Sequence, residues 1–285
     1  MSVRNAPNVP VLMYHHVTAA CGLIAVTPGV FEQQIKSLAR ARYSALTAAQ
    51  FATYLQGGKV PEKSVLITFD DGYLNNWTHA YPILQRYGMH AVVFLITDLI
   101  GDGPVRPHVG QCGAIPGTPG HADSLDLIAQ GRADDVMLRW SEIRCMQADG
   151  TMEFHPHTHT HQRWHELHPS DAVERNRQVA TDIETSRQVL LSRQGAVSDH
   201  FCWPEGHFDE DYVRLAREAG FRHMYTTDAL GQNTPGMNTE HIFRVPVRNK
   251  GGTWLRRRLW LARHPVWGLR HHAWKAWKKR LRSRK

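Results

Sequence analysis

Two short polar segments contain the residue types that metal-assisted hydrolysis needs. The first is TFDDG at residues 68–72, which follows an apolar run, and the second is HTHTH at residues 157–161. Adjacent carboxylates at a strand end can divide the work, since one can bind a metal ion while the other acts as a base. Two imidazoles four residues apart can complete a facial site of one aspartate and two histidines, with open positions for water and substrate.

The two carboxylates, Asp70 and Asp71, point to opposite sides if the chain is still extended where they lie. One could then ligate a metal ion while the other faces the bound water. Asp-Asp-Gly is also a common turn composition. Taken alone, the segment is therefore equally compatible with a capping turn.

The histidine segment has a similar ambiguity. His157, His159 and His161 would share one face of an extended strand, whereas a loop that curls after His157 brings His157 and His161 to one metal ion and leaves His159 outside. The chain contains 19 histidines, so ordinary histidine richness is the alternative. Set against the two adjacent aspartates, the segment favours metal ligation.

Two further histidines directly follow the first predicted strand. A histidine at a strand end on the site face is a candidate general acid, because its pKa can be tuned near neutrality. We favour His15 for this role over His16, and the alternative for both is a core or turn histidine.

The composition is that of a globular protein. The chain has 285 residues, 42% hydrophobic and 21% charged, which suits one large α/β domain or two smaller ones. No apolar run reaches the roughly 18 residues of a membrane span, and the first residues lack the apolar core of a signal peptide. We therefore expect a cytoplasmic location. The four cysteines are scattered without a CxxC pair, which predicts reduced thiols rather than disulfides or a zinc knuckle.

Short apolar strands alternate with amphipathic helices along the chain. This alternation predicts a parallel α/β fold, most simply a barrel, with the polar motifs at the carboxyl ends of the strands. Residues 101–122, rich in Gly and Pro, are predicted to be a long loop that shapes a binding site. The predicted strands are residues 9–14, 64–69, 91–96, 151–154, 198–203, 222–226 and 242–247. Five helices are predicted. The first begins at Pro28 with Thr27 as its cap, the second spans residues 81–87 with Gly88 as its stop, and the third begins at residues 139–142. The last two span residues 182–191 and 209–219.

These motifs resemble those of the polysaccharide deacetylases of the NodB-homology type, a carbohydrate esterase family. TFDDG matches the first family motif, HTHTH matches the second, H-[ST]-x-x-H, and residues 201–206 (FCWPEG) correspond to the third, usually R-x-P-x-[GY]. The resemblance runs from about residue 9 to residue 248. It implies a distorted (β/α)7 barrel in which Asp70 is the catalytic base and a divalent metal ion, often zinc, is held by Asp71, His157 and His161.

The chain departs from the family pattern in two places. Cys202 replaces the arginine of the third motif, which orients the base aspartate in many members, and Arg244 or Arg248 could supply the missing charge. The usual leucine-x-histidine motif that provides the acid is absent. In the poly-N-acetylglucosamine deacetylase branch the acid comes from a Tyr-His near the N-terminus, which Tyr14 and His15 match in a circularly shifted arrangement.

The resemblance implies metal-dependent removal of N-acetyl groups from an N-acetylhexosamine-containing glycan. In the expected reaction Asp70 deprotonates the attacking water, a backbone N–H near Glu205 helps to stabilise the oxyanion, and His15 protonates the leaving amine. The alternatives are a carbohydrate O-acetyl esterase and a catalytically silent carbohydrate-binding protein. Expected substrate contacts are Tyr14, Trp140, Trp203, Pro204, Glu205 and Gly206.

The C-terminal residues 251–285 form a predicted second region, a basic helical tail after a catalytic region of residues 1–250. Residues 241–285 hold 15 Lys or Arg and no acid, whereas residues 1–240 hold 19 basic and 26 acidic residues. Trp260, Trp267 and Trp274 are seven apart and fall on nearly one helix face, which Leu259 and Leu281 can extend. Pro265 is predicted to kink or divide the helix.

Tryptophan combined with Lys and Arg is typical of a helix lying on an anionic membrane. A solvated tail and a helix packed on the barrel are the alternatives, and nucleic-acid binding is not expected. A tail of this kind predicts a cytoplasmic enzyme peripheral to the inner face of the membrane, acting on a lipid-linked precursor of an envelope polysaccharide or lipopolysaccharide.

Overall fold

Seven parallel strands form the centre of the molecule, as the alternating pattern predicts. The structure is a computed structural model, and it describes residues 5–20, 22–264, 266–268, 270, 273–274 and 277. The strands are β1 (Val11–Tyr14), β2 (Ser64–Phe69), β3 (Ala91–Leu95), β4 (Met152–Pro156), β5 (His200–Cys202), β6 (His223–Tyr225) and β7 (Val245–Pro246).

The strands close into a distorted barrel. A hydrogen-bonded sheet runs in the order β7-β1-β2-β3-β4, and β5 pairs with β6 separately. A parallel bridge between Tyr225 and Ile242 joins β6 to the segment leading into β7. The first and last strands are neighbours, with Leu12 in register with Val245. These findings confirm the predicted (β/α) barrel, in which the first and last strands are neighbours. Among the described residues no ladder joins β4 to β5.

The helices cover the outside of this barrel. Two short strands, His16–Val17 and Ala25–Val26, pair with each other, and Ser44–Ala45 pairs with the start of β2. The helices are α1 (Pro28–Arg40), α2 (Ala48–Leu55), α3 (Tyr81–Tyr87), α4 (His121–Ala129), α5 (Trp140–Ala148), α6 (Trp164–Leu167), α7 (Ala172–Gln194), α8 (Glu210–Glu218) and α9 (Gly252–Arg263), with a π-helical turn at Asn76–Ala80 and 3₁₀ turns at Thr97–Leu99, Ala133–Asp135 and Pro204–Gly206.

Local sequence signals set several of these boundaries. Helix α1 begins at Pro28 after Thr27, as predicted, because proline at the first helical position loses no hydrogen bond and its fixed φ suits the helix. Helix α3 ends at Gly88, whose φ of 60° is left-handed and costs glycine little. The predicted strands are all present within a few residues of their predicted ends.

Three helical features differ from the prediction. Helix α7 begins at Ala172, well before the predicted start at residue 182. The prediction missed the first turns because they are mainly polar and show no apolar periodicity. Helix α2 was not predicted, although Thr47 and Gln50 form a capping box at its start. Helix α4 starts inside the predicted 101–122 loop, which is otherwise irregular up to residue 120.

Helix α9 joins the predicted tail to the barrel. Leu255 and Leu259 are fully buried in the main core, and α9 packs along α1. At Gly252 a Cβ would lie 2.4 Å from the Ser37 Cβ, so only glycine permits this approach.

The expectation that Leu259 extends the tryptophan face is wrong, because Leu259 is buried in the core while Trp260 is exposed. The division at residue 250 stays a prediction, and the predicted kink at Pro265 and the contribution of Leu281 lie outside the described residues.

Two smaller sequence predictions concern thiols and membrane spans. Cys112, Cys145 and Cys202 are free thiols, as predicted, while Cys21 lies outside the described residues. Among the residues that the structure describes, no helix has the length and apolar character needed to cross a membrane.

Candidate active site

The acidic pair lies at the carboxyl end of β2, where the chain leaves the extended conformation. Asp70 still pairs with β1, since its N–H donates to the Tyr14 carbonyl at 3.0 Å. Asp71 then adopts a left-handed φ of 74° and Gly72 a φ of 86°. A Cβ on Gly72 would lie 2.7 Å from the Leu95 Cδ2, so glycine is required at this turn. The segment is therefore a turn, as its composition allows, and this turn directs the two carboxylates to different partners.

The carboxylate of Asp70 is buried between a cation and an imidazole. Its Oδ1 lies 2.6 Å from Arg244 Nη1, and its Oδ2 lies 3.6 Å from His15 Nε2. Burial alone raises the pKa of Asp70, but the Arg244 guanidinium outweighs burial and lowers that pKa to about 2. Asp70 is therefore ionised at neutral pH and able to accept a proton.

The guanidinium in contact with Asp70 comes from Arg244. The sequence alone did not distinguish Arg244 from Arg248 as the source of this charge. Arg244 is fully buried, and its Nε donates to the Thr226 carbonyl at 2.7 Å. Arg248 is exposed. The segment before β7 delivers Arg244 to Asp70 because β7, β1 and β2 are adjacent in the sheet. The positive charge that the third motif lacks at Cys202 thus comes from the segment before β7.

The second carboxylate, Asp71, lies against two imidazoles. Its Oδ1 is 3.5 Å from His157 Nε2 and 3.8 Å from His161 Nε2. The three ligand atoms all lie within 4.8 Å of one another. Burial lowers the pKa of His157 to about 3 and also lowers the pKa of His161, so both rings are neutral with lone pairs available.

The environment of Asp71 suits a bound cation. Burial raises the pKa of Asp71 to about 6; the adjacent Asp70 charge adds to this rise, while His15 opposes it. A divalent cation at this position would compensate the buried negative charge.

Hydrogen bonds to the ligands also fit a metal ion. His157 Nδ1 lies 2.8 Å from the Cys202 carbonyl, so Nδ1 carries the proton and Nε2 faces Asp71. Tyr73 donates a hydrogen bond to Asp71. Carboxylate and imidazole ligands with oriented partners are the donor set of zinc and related ions.

The HTHTH loop curls as metal ligation requires. Thr158 and His161 have left-handed φ values of 64° and 57°. His159 points away, with Nδ1 2.9 Å from Thr97 Oγ1 and Nε2 3.5 Å from Asp98 Oδ1. The expectation that His159 lies outside the ligand set agrees with this placement.

A buried aspartate on α7 fixes the conformation of this loop. Asp182 Oδ1 accepts hydrogen bonds from His159 N at 3.1 Å and from Thr160 N at 2.7 Å. Its Oδ2 accepts one from Trp164 Nε1 at 3.0 Å. Sequence reasoning missed Asp182, because an aspartate in a polar helix carries no signal of its long-range partners.

The two N-terminal histidines differ sharply. His15 reaches the site beside Asp70, where a general acid would be needed. His16 is fully buried, its Nδ1 is 2.9 Å from Asn75 Nδ2, and its ring stacks on Tyr73. Burial lowers the pKa of His16 to about 3, so its ring is neutral. This separation agrees with the preference for His15.

Two residues predicted to contact the substrate, Tyr14 and Trp140, have side chains buried in the core. Tyr14 is buried between β1 and α1, and its hydroxyl donates to Gln34 Oε1 at 2.9 Å. Trp140 is 2% exposed within the main core, with Arg193 over its ring. Both rings pack in the hydrophobic core, and their contact with substrate stays a prediction.

The third-motif turn lies beside the histidine loop. Trp203 is buried but borders a cavity of about 30 Å³ that Thr158 and Pro204 also line. Glu205 has a left-handed φ of 52° and pairs with Arg163 at 2.7 Å. A Cβ on Gly206 would lie 2.0 Å from Thr227 Oγ1, so the turn needs glycine. These placements keep the turn near the site, and its contact with substrate stays a prediction.

Comparison with known proteins identifies the family. The family model described as polysaccharide deacetylase matches residues 57–224. The chain belongs to this family. The matched range contains the acidic pair and the histidine loop, whereas His15 and Arg244 lie outside it.

Relatives and solved structures agree with the assignment to the polysaccharide deacetylases. YxkH of Bacillus subtilis, whose name places it in the same family, is 44% identical over 83% of this chain and 71% of its own length. A poly-β-1,6-N-acetyl-D-glucosamine N-deacetylase of Staphylococcus aureus is 26% identical over 78% of this chain and 68% of its own. IcaB from Ammonifex degensii shares the fold with a TM-score of 0.67 at 24% identity, covering 90% of this chain and 97% of that one.

The family assignment confirms the predicted reaction class. This polysaccharide deacetylase is a hydrolase of carbohydrate amide bonds, and its fold is that of the NodB-type deacetylases. A group able to bind a metal ion is present at Asp71, His157 and His161.

Proposed function

We propose that this polysaccharide deacetylase removes N-acetyl groups from N-acetylhexosamine residues of a glycan with the help of a divalent metal ion. The observation that carries the proposal is that two adjacent carboxylates at the end of β2 have different surroundings. Asp70 is ionised by Arg244 at 2.6 Å, and Asp71 meets two neutral imidazoles within 3.8 Å. Asp70 can therefore accept a proton, and Asp71 can bind a cation together with the two imidazoles.

The residues of this chain account for both proton transfers. Asp70 removes a proton from the water that attacks the acetamide carbon. His15, 3.6 Å from Asp70, donates a proton to the amine nitrogen as the carbon–nitrogen bond breaks. Acetate and the free amino sugar are released, and the proton on Asp70 returns to the solvent as His15 is reprotonated.

The proposed cofactor is zinc, held by Asp71, His157 and His161. Two imidazoles and one carboxylate form the three-ligand set of many catalytic zinc sites. When bound, the ion supplies Lewis-acid polarisation of the acetamide carbonyl. The hydrogen bond from His157 Nδ1 to the Cys202 carbonyl supports this ligand set by fixing the tautomer.

The position of His15 favours an amide over an ester as the bond that is cleaved. An amine leaves poorly without protonation, whereas the alkoxide of an ester is a better leaving group. His15→Ala should therefore slow N-deacetylation by about 10²–10⁴-fold and affect hydrolysis of a matched O-acetyl sugar less. Equal losses on both substrates would contradict the assignment of His15 as the acid.

The substrate class can be tested directly by acetate release. We expect acetate from N-acetylglucosamine oligomers, loss of release after chelator treatment, and recovery with added zinc. The matched variant Asp71→Asn should not recover. Release from O-acetylated sugars alone would support the esterase instead, and no release from any acetylated saccharide would contradict an active enzyme.

We further propose that the C-terminal region rests on an anionic membrane, where a lipid-linked glycan precursor would be presented. The tryptophans that support this are roughly half exposed, at 49–57%, and are Trp260, Trp267, Trp274 and Trp277. Arg256 and Arg257 on α9 are exposed beside them. Exposed tryptophan rings together with arginines suit the interface of an anionic bilayer. This would place the enzyme in the cytoplasm at the inner face of the membrane.

Vesicle flotation tests the membrane proposal. The full chain should float with vesicles containing anionic lipid and not with neutral ones, and substitution of Trp260, Trp267 and Trp274 by serine should reduce flotation. Leu23→Ser, at an exposed leucine elsewhere, is the matched control. Truncation at residue 250 is unsuitable because it removes the buried Leu255 and Leu259. Equal flotation of the tryptophan variant would contradict the proposal.

A further inference from the structure

A second group of metal-ligand side chains lies at the opposite end of the barrel. Asp199 precedes β5, His200 begins β5 and His223 begins β6, with His200 and His223 in register. Their ligand atoms lie within 4.8 Å of one another. The active-site ligands follow the carboxyl ends of the strands, so the two groups occupy different ends of the barrel.

The distances in this group fit a single ion. Asp199 Oδ1 lies 3.1 Å from His223 Nδ1 and 3.7 Å from His200 Nε2. Ligands at about 2.0–2.1 Å from a tetrahedral ion are separated by about 3.4 Å. A small adjustment of side chains would therefore place the carboxylate and both imidazoles around one ion.

Hydrogen bonding orients the imidazoles toward the same point. His200 Nδ1 lies 2.9 Å from Tyr225 Oη, and in the tautomer that donates from Nδ1 to this hydroxyl the Nε2 lone pair faces Asp199. His223 is 4% exposed, and its Nδ1 has no well-aligned hydrogen-bond partner among the described residues. With Asp199 Oδ1 3.1 Å away but poorly aligned for a hydrogen bond, this nitrogen can either carry a proton toward the carboxylate or share a metal ion with it.

Solvent can reach this group. A groove of about 280 Å³ opens beside it, lined in part by Glu153, Ser198, Asp199 and His200. The Asp199 side chain is 44% exposed. Glu153, which pairs with His90 at 3.1 Å, adds a second carboxylate to the groove wall, and the groove leaves room for a water ligand.

We propose that Asp199, His200 and His223 bind a second divalent transition-metal ion of the zinc class, independently of the active site. The ion would join the starts of β5 and β6, which form a two-stranded sheet separate from the five-strand path through β1. Its role is to stabilise the β5–β6 pair, since β5 contributes the Cys202 carbonyl that orients His157.

Metal counting tests this proposal. Chelator-treated protein, dialysed against micromolar Zn²⁺ and analysed by mass spectrometry, should bind two zinc ions per chain. His157→Ala and His223→Gln should each bind one, and the double variant none. His207→Gln, at an exposed histidine outside both groups, should still bind two.

A stability measurement separates loss of binding from loss of folding. Zinc should raise the melting temperature of His157→Ala but not that of His157→Ala combined with His223→Gln, with circular dichroism confirming that both fold. His223→Gln should retain deacetylation at 25 °C, so this proposal can fail while the proposed function holds. Two zinc ions in His223→Gln, or a second ion bound only at millimolar zinc, would overturn it.

Discussion

The two ends of the barrel gather the same residue types but hold them differently. At the carboxyl end, Asp71 and His161 have left-handed backbones and Asp70 contacts a fully buried arginine. At the amino end, His200 and His223 sit on regular paired strands. Left-handed non-glycine residues cost about 1–3 kcal/mol each.

This difference indicates that similar side chains serve catalysis at the carboxyl end and stability at the amino end. Backbone strain and a buried charge pair persist only where the surrounding structure enforces them, and such positions concentrate at sites of chemistry. We therefore expect substitutions at the carboxyl end to change turnover, and substitutions at the amino end to change stability.

Replacement of His157 should have the largest effect. His157→Ala removes a ligand whose partner nitrogen is fixed by the Cys202 carbonyl, so both zinc at the active site and acetate release should be lost. His223→Gln at the amino end is the comparison and should keep turnover. Measurable deacetylation by His157→Ala with unchanged zinc content would break the distinction between the two ends.

Asp70→Asn should come next, with turnover lowered by about 10²–10⁴-fold. The amide cannot accept the proton of water, while Asp71 still provides its carboxylate. Zinc content should therefore stay unchanged, as measured on the same preparation used for acetate release. Near-normal turnover would show that Asp70 is not the base.

Arg244→Gln should shift the pH dependence. Arg244 lowers the pKa of Asp70 to about 2 against the effect of burial, so its loss raises that pKa. Asp70 must be ionised to act, and activity falls as pH drops through its pKa. The acidic limb of the kcat profile should therefore move to higher pH.

The matched variant for this shift is Arg244→Lys. Lysine keeps the positive charge but loses the bond from Nε to the Thr226 carbonyl, and it should move the limb less. Melting curves identify a variant that has lost its fold. An unmoved acidic limb in a folded Arg244→Gln protein would separate Arg244 from the ionisation of Asp70.

Asp182→Asn should weaken zinc binding at the active site by about 10-fold with turnover recovered in excess zinc. Its carboxylate orders the histidine loop without touching the ligand atoms. The control is Glu184→Gln, an exposed acid on the same helix. Failure of excess zinc to restore activity in folded protein would contradict a purely positioning role.

Tyr14→Phe should have the smallest effect on catalysis. The Tyr14 hydroxyl is buried against Gln34, so KM and kcat should stay the same while the free energy of unfolding falls by about 1 kcal/mol. Chemical denaturation measures this loss. A large rise in KM would show that Tyr14 contacts the glycan after all.

The sequence was most informative where the chemistry lies within a short segment. TFDDG and HTHTH each keep their residues together, so the pairing of Asp70 with Asp71 and of His157 with His161 could be inferred from spacing and family resemblance. The strands that present them were also predictable, because buried parallel strands are short apolar runs bounded by polar residues.

Local signals failed where a helix is polar or a ring is bulky. The first half of α7 has no apolar stripe, so its start at Ala172 was missed. Tyr14 and Trp140 have aromatic rings that suit either a core or a sugar, and only their burial distinguishes the two.

What the sequence determined by itself was the reaction class, the order of the strands along the chain and the residues within each motif. Only the tertiary structure decided that Arg244, 174 residues from Asp70, supplies its cation, and that Asp182 orders the histidine loop. It also brought Asp199 and His223 together. The physical reason is that barrel closure makes neighbours of strands distant along the chain, and these contacts depend on strand order and register rather than on any local pattern.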